Sequence, residues 1–209
     1  MSEKDHTPGD PLSEAAKLIE FVPENFFKRV PMEELFPRTA PLEVDIGCGE
    51  GAFIAAMAER HSERNFLGIE RLLGRVNTVS RIAAHRRLTN VRVMRVESAY
   101  VVEHLLPPGS VSVAHVLFPD PWPKRYHHPR RLVQDAFMVA LHGLLGPGGE
   151  LRAKTDDLPY FQWMEKVFAK AAGFERVEWP EEADAPVTNF ERRFLNKGLP
   201  IYRARLRKI

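Results

Sequence analysis

The sequence predicts an α/β fold: a seven-stranded, mostly parallel β-sheet with helices on both faces. Two observations predict it. From Leu42 onward, short apolar segments of strand length alternate with longer segments whose apolar residues recur at helical spacing. The first short segment also ends in a run of glycines that opens the next helix, as in sheets that bind ligands beyond the carboxyl ends of their strands.

The N-terminal residues precede this alternation and are expected to form an extension. Residues 1–12 are predicted to be a disordered tail, because prolines and a glycine interrupt a polar stretch of mixed charge. A short helix capped by Ser13 is predicted over 13–21, and further prolines then favour a segment that wraps the surface. We therefore expect one domain over 13–209, of which 13–41 form the extension.

Seven strands and four further helices are predicted from apolar spacing and from the glycines and prolines that bound each segment. The strands are predicted over 42–46, 65–69, 91–96, 111–117, 150–154, 174–179 and 201–206. The helices are predicted over 51–60, 71–87, 129–145 and 160–172. A Gly-Pro-Gly-Gly run at 146–149 is expected to end the third of these helices.

The composition is that of a globular protein and excludes several other classes. The chain has 209 residues, of which 44% are hydrophobic and 28% charged, and no apolar run approaches the ~20 residues that cross a bilayer. Its one cysteine, Cys48, excludes an internal disulfide and a cysteine-based metal site. The N-terminus lacks the basic start and apolar core of a signal peptide, so we expect a cytoplasmic protein without a membrane anchor.

Positive charge is clustered rather than abundant. The net charge is only +2, but basic residues collect over 71–87, 124–131 and 203–208. Such clusters can form a phosphate-binding face without a high overall charge, although solvated helix faces give the same pattern. The charge distribution thus permits a nucleic-acid partner without requiring one.

The loop after the first strand is a candidate ligand site. It reads Asp45 followed by Ile-Gly-Cys-Gly-Glu-Gly, a G-x-G-x-G spacing that differs from the dinucleotide fingerprint G-x-G-x-x-G. Glycine lets the backbone turn tightly and lets a ligand approach it. Glu70 ends the second strand, about 20 positions further on, where an acidic side chain accepts hydrogen bonds from ribose hydroxyls. A helix-start acid is an equally ordinary role for Glu70.

A second candidate segment, FPDPWPK from Phe118, follows the fourth strand. Its three prolines fix the loop geometry and hold Asp120 and Trp122 at the mouth of the predicted crevice. Cations beside aromatic rings come next, a combination that suits RNA phosphates and stacked bases. The predicted RNA contacts are Tyr126, His127, His128, Arg130 and Arg131. The adjacent histidines have no acidic or cysteine partner nearby in the sequence, so no metal site is predicted.

Together, Asp45 before the G-x-G-x-G loop and Glu70 at the end of strand two resemble class I S-adenosylmethionine-dependent methyltransferases. The resemblance implies a Rossmann-like fold and S-adenosylmethionine as cofactor. It places Glu97, after the third strand, where an acidic side chain holds the adenine amino group, although a surface acid at a helix start is the alternative. The cofactor-binding residues that it implies are Asp45, Gly47, Gly49, Glu70, Glu97 and Asp120.

The stretch FPDPWPK-x-x-H-x-x-RR is similar to the signature of the bacterial tRNA (guanine-N7)-methyltransferases. Two later segments, AKTD at 153–156 and VTNFERR at 187–193, resemble that family's TD and T-x-F-E motifs. The resemblance implies tRNA as partner and methyl transfer to N7 of guanine 46 in its variable loop, with Asp120 as the catalytic residue. The implied substrate contacts are Lys124, Asp156, Thr188, Asn189, Phe190 and Glu191.

Four positions depart from that family's pattern. Asp45 stands where Glu is more usual, Glu97 where Asp is common, and Tyr126 and Pro129 where basic residues are frequent. Three other functions compete: a methyltransferase for a small molecule or a protein, a non-catalytic RNA-binding module, and an NAD-dependent oxidoreductase. The glycine spacing disfavours the oxidoreductase. A monomer and a homodimer are both compatible with the sequence.

Overall fold

A computed structural model of the chain describes residues 11–179 and 186–209. Its strands are β1 (Leu42–Ile46), β2 (Asn65–Ile69), β3 (Val91–Met94), β4 (Val111–Leu117), β5 (Leu145–Thr155), β6 (Phe174–Val177) and β7 (Tyr202–Lys208). They form one sheet in the order β3-β2-β1-β4-β5-β7-β6. Strands β1 to β5 pair in parallel, whereas β7 runs antiparallel to both of its neighbours. The predicted seven-stranded, mostly parallel sheet is confirmed.

Helices cover both faces of this sheet. They are α1 (Pro11–Lys17), α2 (Met32–Leu35), α3 (Ala52–Arg60), α4 (Leu73–His85), α5 (Ser98–Tyr100), α6 (Asp135–Leu144), α7 (Leu158–Phe168) and α8 (Asn189–Leu195). One core cluster joins α3 and α4 to Phe66 of β2, and a larger one joins α6 and α7 to the neighbouring Leu67. Because successive strand residues point to opposite faces, every residue of β1 and β2 is buried.

Several predicted boundaries were wrong. The helix predicted over 13–21 with Ser13 as its cap spans Pro11–Lys17, and the helix predicted over 160–172 spans Leu158–Phe168. In two further cases tertiary contacts override the local pattern. The helix predicted over 129–145 begins only at Asp135 and is preceded by a 3-10 helix, Arg125–Arg130. Between them Arg131 is extended (φ −60°, ψ 135°), since its side chain turns into the protein. Strand β5 starts at Leu145 rather than 150, because Leu145 pairs with Val111 across an irregularity in the ladder. Helices α2, α5 and α8 were not predicted.

The N-terminal extension joins the edge of the sheet. Val93 of β3 accepts a hydrogen bond from the Phe21 amide (2.9 Å) and donates one to the Ile19 carbonyl (3.0 Å). Further along, Leu35 and Phe36 are buried in the larger core cluster, so the extension does more than wrap the surface. Of the tail predicted over 1–12, residues 1–10 lie outside the described residues, whereas Pro11 and Leu12 belong to α1. Within the described ranges, no helix has the length and hydropathy needed to span a membrane.

Candidate active site

A cleft of about 380 Å³ opens beyond the carboxyl ends of β1, β2 and β4. This volume lies within the range of about 300–1,000 Å³ that is usual for small-molecule sites. Four predicted cofactor-binding residues line this first cleft together: Gly47, Glu70, Glu97 and Asp120. Asp45 lies at the end of the buried strand β1, and Gly49 is not part of the lining.

The glycine loop has a backbone that other residues adopt only under strain. Gly47, Gly49 and Gly51 have φ angles of 85°, 58° and 79°. A Cβ atom built on Gly47 or Gly49 would meet no atom within 4 Å, so the loop leaves open space on that side. A Cβ on Gly51 would lie 2.7 Å from Cγ2 of Val79, because α3 packs closely on α4 here. The loop therefore combines an open ligand side with a tightly packed one.

Glu70 faces the first cleft and also organises the start of α4. Its Oε1 accepts hydrogen bonds from the backbone amides of Arg71 (2.8 Å) and Leu72 (2.9 Å), and Nη1 of Arg75 lies 3.4 Å from Oε2. Burial of Asp45, together with the negative charge of Glu70, raises the pKa of Asp45 to about 7. The two acidic groups are thus close enough to interact, with Glu70 on the cleft wall and Asp45 buried behind it, and a cation bound nearby would stabilise the ionised form of both.

Glu97 has a structural role that is visible without any ligand. Its Oε2 accepts a hydrogen bond from the Tyr100 amide (2.9 Å) and caps α5. The carboxylate also lines the first cleft beside Ser98. The contact between Glu97 and an adenine amino group stays a prediction.

Residues 118–122 form the FPDPW loop, which carries Asp120 on the wall of the first cleft. Phe118 and Trp122 have φ angles of 54° and 45°, values that bulky residues rarely adopt. The Phe118 amide donates to the Lys154 carbonyl (2.8 Å), which anchors the loop to β5. Such strain persists only where surrounding contacts hold it, and it is concentrated at functional sites.

Arg131 also holds the FPDPW loop, from its buried side. This residue is only 5% exposed, and its Nε donates a hydrogen bond to the Pro121 carbonyl (2.8 Å). Its guanidinium carbon lies 4.9 Å from the ring centre of Tyr160 and 5.6 Å from that of Trp163. Burial and these contacts argue against the predicted contact between Arg131 and an RNA phosphate. Sequence reasoning did not identify Tyr160 or Trp163, since nothing local distinguishes them from ordinary core aromatics.

The other cations of this stretch lie on the surface around aromatic rings. Arg130 lies 5.1 Å above the Trp122 ring, which contacts His127 at 5.4 Å between ring centres. The His127 ring is 4.1 Å from Tyr126, a residue that is 70% exposed, and Lys124 Nζ lies 5.9 Å from the Tyr126 ring. We call these five residues the basic–aromatic cluster. It combines exposed positive charge with exposed ring faces.

The VTNFERR segment at 187–193 contacts the FPDPW loop although it lies near the C-terminal end of the sequence. Phe190 at the start of α8 packs against Phe118, with ring centres 5.3 Å apart. Thr188 caps this helix by accepting a hydrogen bond from the Glu191 amide (2.9 Å). The structure does not describe the side chain of Asn189. Asp156 is half-buried just beyond the end of β5.

Glu191 forms a buried ion pair that the sequence did not reveal. Its Oε1 lies 2.6 Å from Nζ of Lys154, and the two side chains are only 8% and 12% exposed. The other oxygen, Oε2, is buried without a hydrogen-bond partner among the described residues. A buried carboxylate oxygen normally has a donor, so Oε2 lacks the partner that its burial would call for. Lys154 stands in the AKTD segment, but its type alone gave no signal of this role.

Comparison with known proteins identifies the family. Residues 39–204 match a family described as "putative methyltransferase". The tRNA (guanine-N(7)-)-methyltransferase of Leifsonia xyli subsp. xyli is 42% identical over 177 residues, which cover 82% of this chain and 78% of that protein. The enzyme of the same name from Halorhodospira halophila is 38% identical over 178 residues, covering 83% and 77%. The chain belongs to the tRNA (guanine-N7)-methyltransferase family.

Solved structures show that this family member has the Rossmann-like fold of class I methyltransferases. The 16S rRNA methyltransferase KamB superposes with a TM-score of 0.64 at 18% identity, covering 85% of this chain and 92% of that one. The [4+2]-cyclase SpnF superposes with a TM-score of 0.56 at 15% identity, covering 84% and 78%. A fold shared with a cyclase does not by itself determine the chemistry, so the assignment depends on the site residues.

No metal centre is evident in the part of this methyltransferase that the structure describes. Its His, Cys, Asp and Glu side chains there form no group of three or more that could hold a metal ion. Methyl transfer to a nucleophile that already carries a lone pair has no intrinsic need for one.

Proposed function

We propose that this protein transfers a methyl group from S-adenosylmethionine to N7 of guanine 46 in the tRNA variable loop. The observation that carries the proposal is the convergence of three distant motifs. The FPDPW loop is held to β5 by the hydrogen bond from the Phe118 amide to the Lys154 carbonyl. The side chain of Lys154 in turn forms an ion pair with Glu191 of α8. The ring of Phe190, also in α8, packs against the ring of Phe118 in the FPDPW loop. One nucleobase beside Asp120 could therefore be contacted from all three motifs.

The first cleft suits S-adenosylmethionine by its volume and by the hydrogen-bond acceptors on its walls. Glu70 would hold the ribose hydroxyls, and Glu97 the adenine amino group, while the open side of Gly47 faces the methionine part. When bound, the cofactor supplies a methyl group on a positively charged sulfur. A cation in this cleft would favour the ionised form of Asp45, whose pKa burial and Glu70 hold near 7.

The protein's part in the reaction is mainly positioning. Guanine N7 carries a free lone pair, so no general base is needed to expose it, and the rate depends on holding N7 in line with the methyl group. The purine ring gains positive charge as N7 is methylated, and the carboxylate of Asp120 stabilises that charge. Asp156 and Glu191 are the candidate acceptors for the N–H groups of the guanine edge, although Oε2 of Glu191 is buried, so the side chains that cover it would have to move for a guanine to reach it. Thr188 and Asn189 stay further candidates for contacts with the guanine.

RNA recognition falls to the basic–aromatic cluster. Lys124 and Arg130 would bind backbone phosphates, with His127 between them, and the exposed ring of Tyr126 offers a face for a stacked base. His128, the next residue along, is half-buried and faces a different part of the surface. Because tRNA is the substrate, we also propose that the protein acts in the cytoplasm.

The test is to incubate the protein with unmodified tRNA and methyl-labelled S-adenosylmethionine, then digest the RNA and identify the labelled nucleoside. We expect N7-methylguanosine, and no label in a matched transcript whose guanine 46 is replaced by adenine. Label on another nucleoside, or equal label in both transcripts, would contradict the assignment. Label that survives ribonuclease would indicate a protein or small-molecule acceptor instead.

A further inference from the structure

A second cleft lies on the opposite side of the segment that follows the FPDPW loop. It has a volume of about 320 Å³ and lies between the 3-10 helix Arg125–Arg130 and α7. Consecutive residues line different clefts: Trp122 and Arg130 face the first, whereas Pro123 and Arg131 face the second. The two clefts are therefore separated by the thickness of a single chain segment.

The second cleft is lined by more basic than acidic side chains. Three basic side chains line it: the buried Arg131, the half-buried His128 and the exposed Lys166. The one acidic residue of its lining, Asp157, uses Oδ1 to cap α7 by accepting from the Tyr160 amide (2.6 Å). The carboxylate next to Lys166 in sequence, Glu165, pairs with Arg176 instead.

The geometry favours an anion over a stacked base in this cleft. The Trp163 ring is fixed by a hydrogen bond from Nε1 to the Val133 carbonyl (2.9 Å), and Arg131 lies 5.6 Å from its centre. His128 approaches the same ring, with centres 6.2 Å apart. With these side chains against the indole, what the cleft offers a ligand is N–H donors and positive charge, which suit a phosphate.

We propose that the second cleft binds a backbone phosphate of the tRNA next to the target guanosine, with Lys166 and His128 as its contacts and Arg131 adding charge from below. The proposal rests on the proposed function. A strand that places its base beside Asp120 would bring an adjacent phosphate toward the second cleft, because the segment around Trp122 and Pro123 lines both clefts. The subsite would fix the register of the RNA relative to the first cleft.

The test compares Lys166→Ala with the matched control Lys170→Ala, since Lys170 is also exposed near the end of α7 but does not line the cleft. Binding of unmodified tRNA is measured at several salt concentrations. Loss of one phosphate contact at Lys166 should weaken binding about tenfold. It should also lower the slope of log affinity against log salt by about one. Lys170→Ala should change neither quantity.

Equal effects of the two variants would overturn the subsite, because they would reflect general surface charge. Both variants should keep the affinity for S-adenosylmethionine and the melting temperature of the wild type. The labelled-nucleoside assay on the wild-type protein tests the proposed function separately. If the wild type methylates tRNA but Lys166→Ala binds it normally, the subsite is wrong and the function stands.

Discussion

Replacing Arg131 by alanine is expected to impair methyl transfer by releasing the FPDPW loop rather than by removing a contact with RNA. The side chain is 5% exposed, and its Nε bonds the Pro121 carbonyl next to the proposed catalytic residue, Asp120. Without it, the Pro121 carbonyl loses a charged donor beside the strained Trp122, so the loop is held less firmly against relaxation.

The expected loss of kcat follows from comparing the energy of the Arg131 hydrogen bond with the strain energy of the loop. A hydrogen bond from a charged donor contributes about 1.5–3 kcal/mol. Holding Phe118 and Trp122 at positive φ costs on the order of 1–3 kcal/mol each. Removal of the bond is therefore enough to shift the loop toward relaxed conformations. At about 1.4 kcal/mol per factor of ten, kcat should fall roughly 10- to 100-fold.

The assay measures kcat, the KM for tRNA and the salt dependence of tRNA binding for three variants. Arg131→Ala and Arg131→Lys should both lose kcat, because lysine keeps the charge but cannot reproduce the Nε bond while packing between Tyr160 and Trp163. The control Arg130→Ala should instead lower the salt slope. If Arg131→Lys restores full activity, or if Arg131→Ala changes only the salt slope, the residue contacts phosphate and the loop argument fails.

Three further predictions concern the carboxylates. Asp120→Asn should lower kcat about 10²- to 10³-fold, whereas calorimetry should find a much smaller loss of S-adenosylmethionine affinity, and near-normal turnover would remove Asp120 from the mechanism. Glu191→Ala should lower the free energy of unfolding by about 3 kcal/mol in denaturant titrations, because it leaves Lys154 charged and mostly buried; a loss below about 1 kcal/mol would show that the pair is solvated. The pKa of Asp45 is raised from 3.8 to about 7, so the folded state keeps a proton that the unfolded state releases. The free energy of unfolding of the wild type should therefore fall as the pH rises from about 4 to about 7. Asp45→Asn lacks this titration, so its free energy of unfolding should increase relative to that of the wild type over the same range. A difference between the two proteins that does not change with pH would contradict the raised pKa.

Much of the fold could be predicted because local sequence determines it. The parallel strands are apolar runs, since both of their faces are buried, and the glycine loop is fixed by φ angles that only glycine adopts without strain. The start of β5 was missed because Leu145 pairs with Val111 through a glycine-rich irregularity that locally resembles a turn. Helix α8 is only seven residues long, too short for its apolar spacing to stand out, and its one local signal is the capping threonine Thr188.

The site divides in the same way. The sequence by itself determined the types of the cofactor-cleft residues and the order of the three motifs, because neither the chemistry of a side chain nor its place in the chain depends on folding. Only the tertiary structure decided which charged groups are buried and what they contact. Lys154 and Glu191 form an ion pair although they are 37 residues apart in the sequence. Arg130 and Arg131 are adjacent residues of the same type, yet one lies exposed over Trp122 and the other is buried beneath the loop, because burial depends on the elements that pack around a side chain.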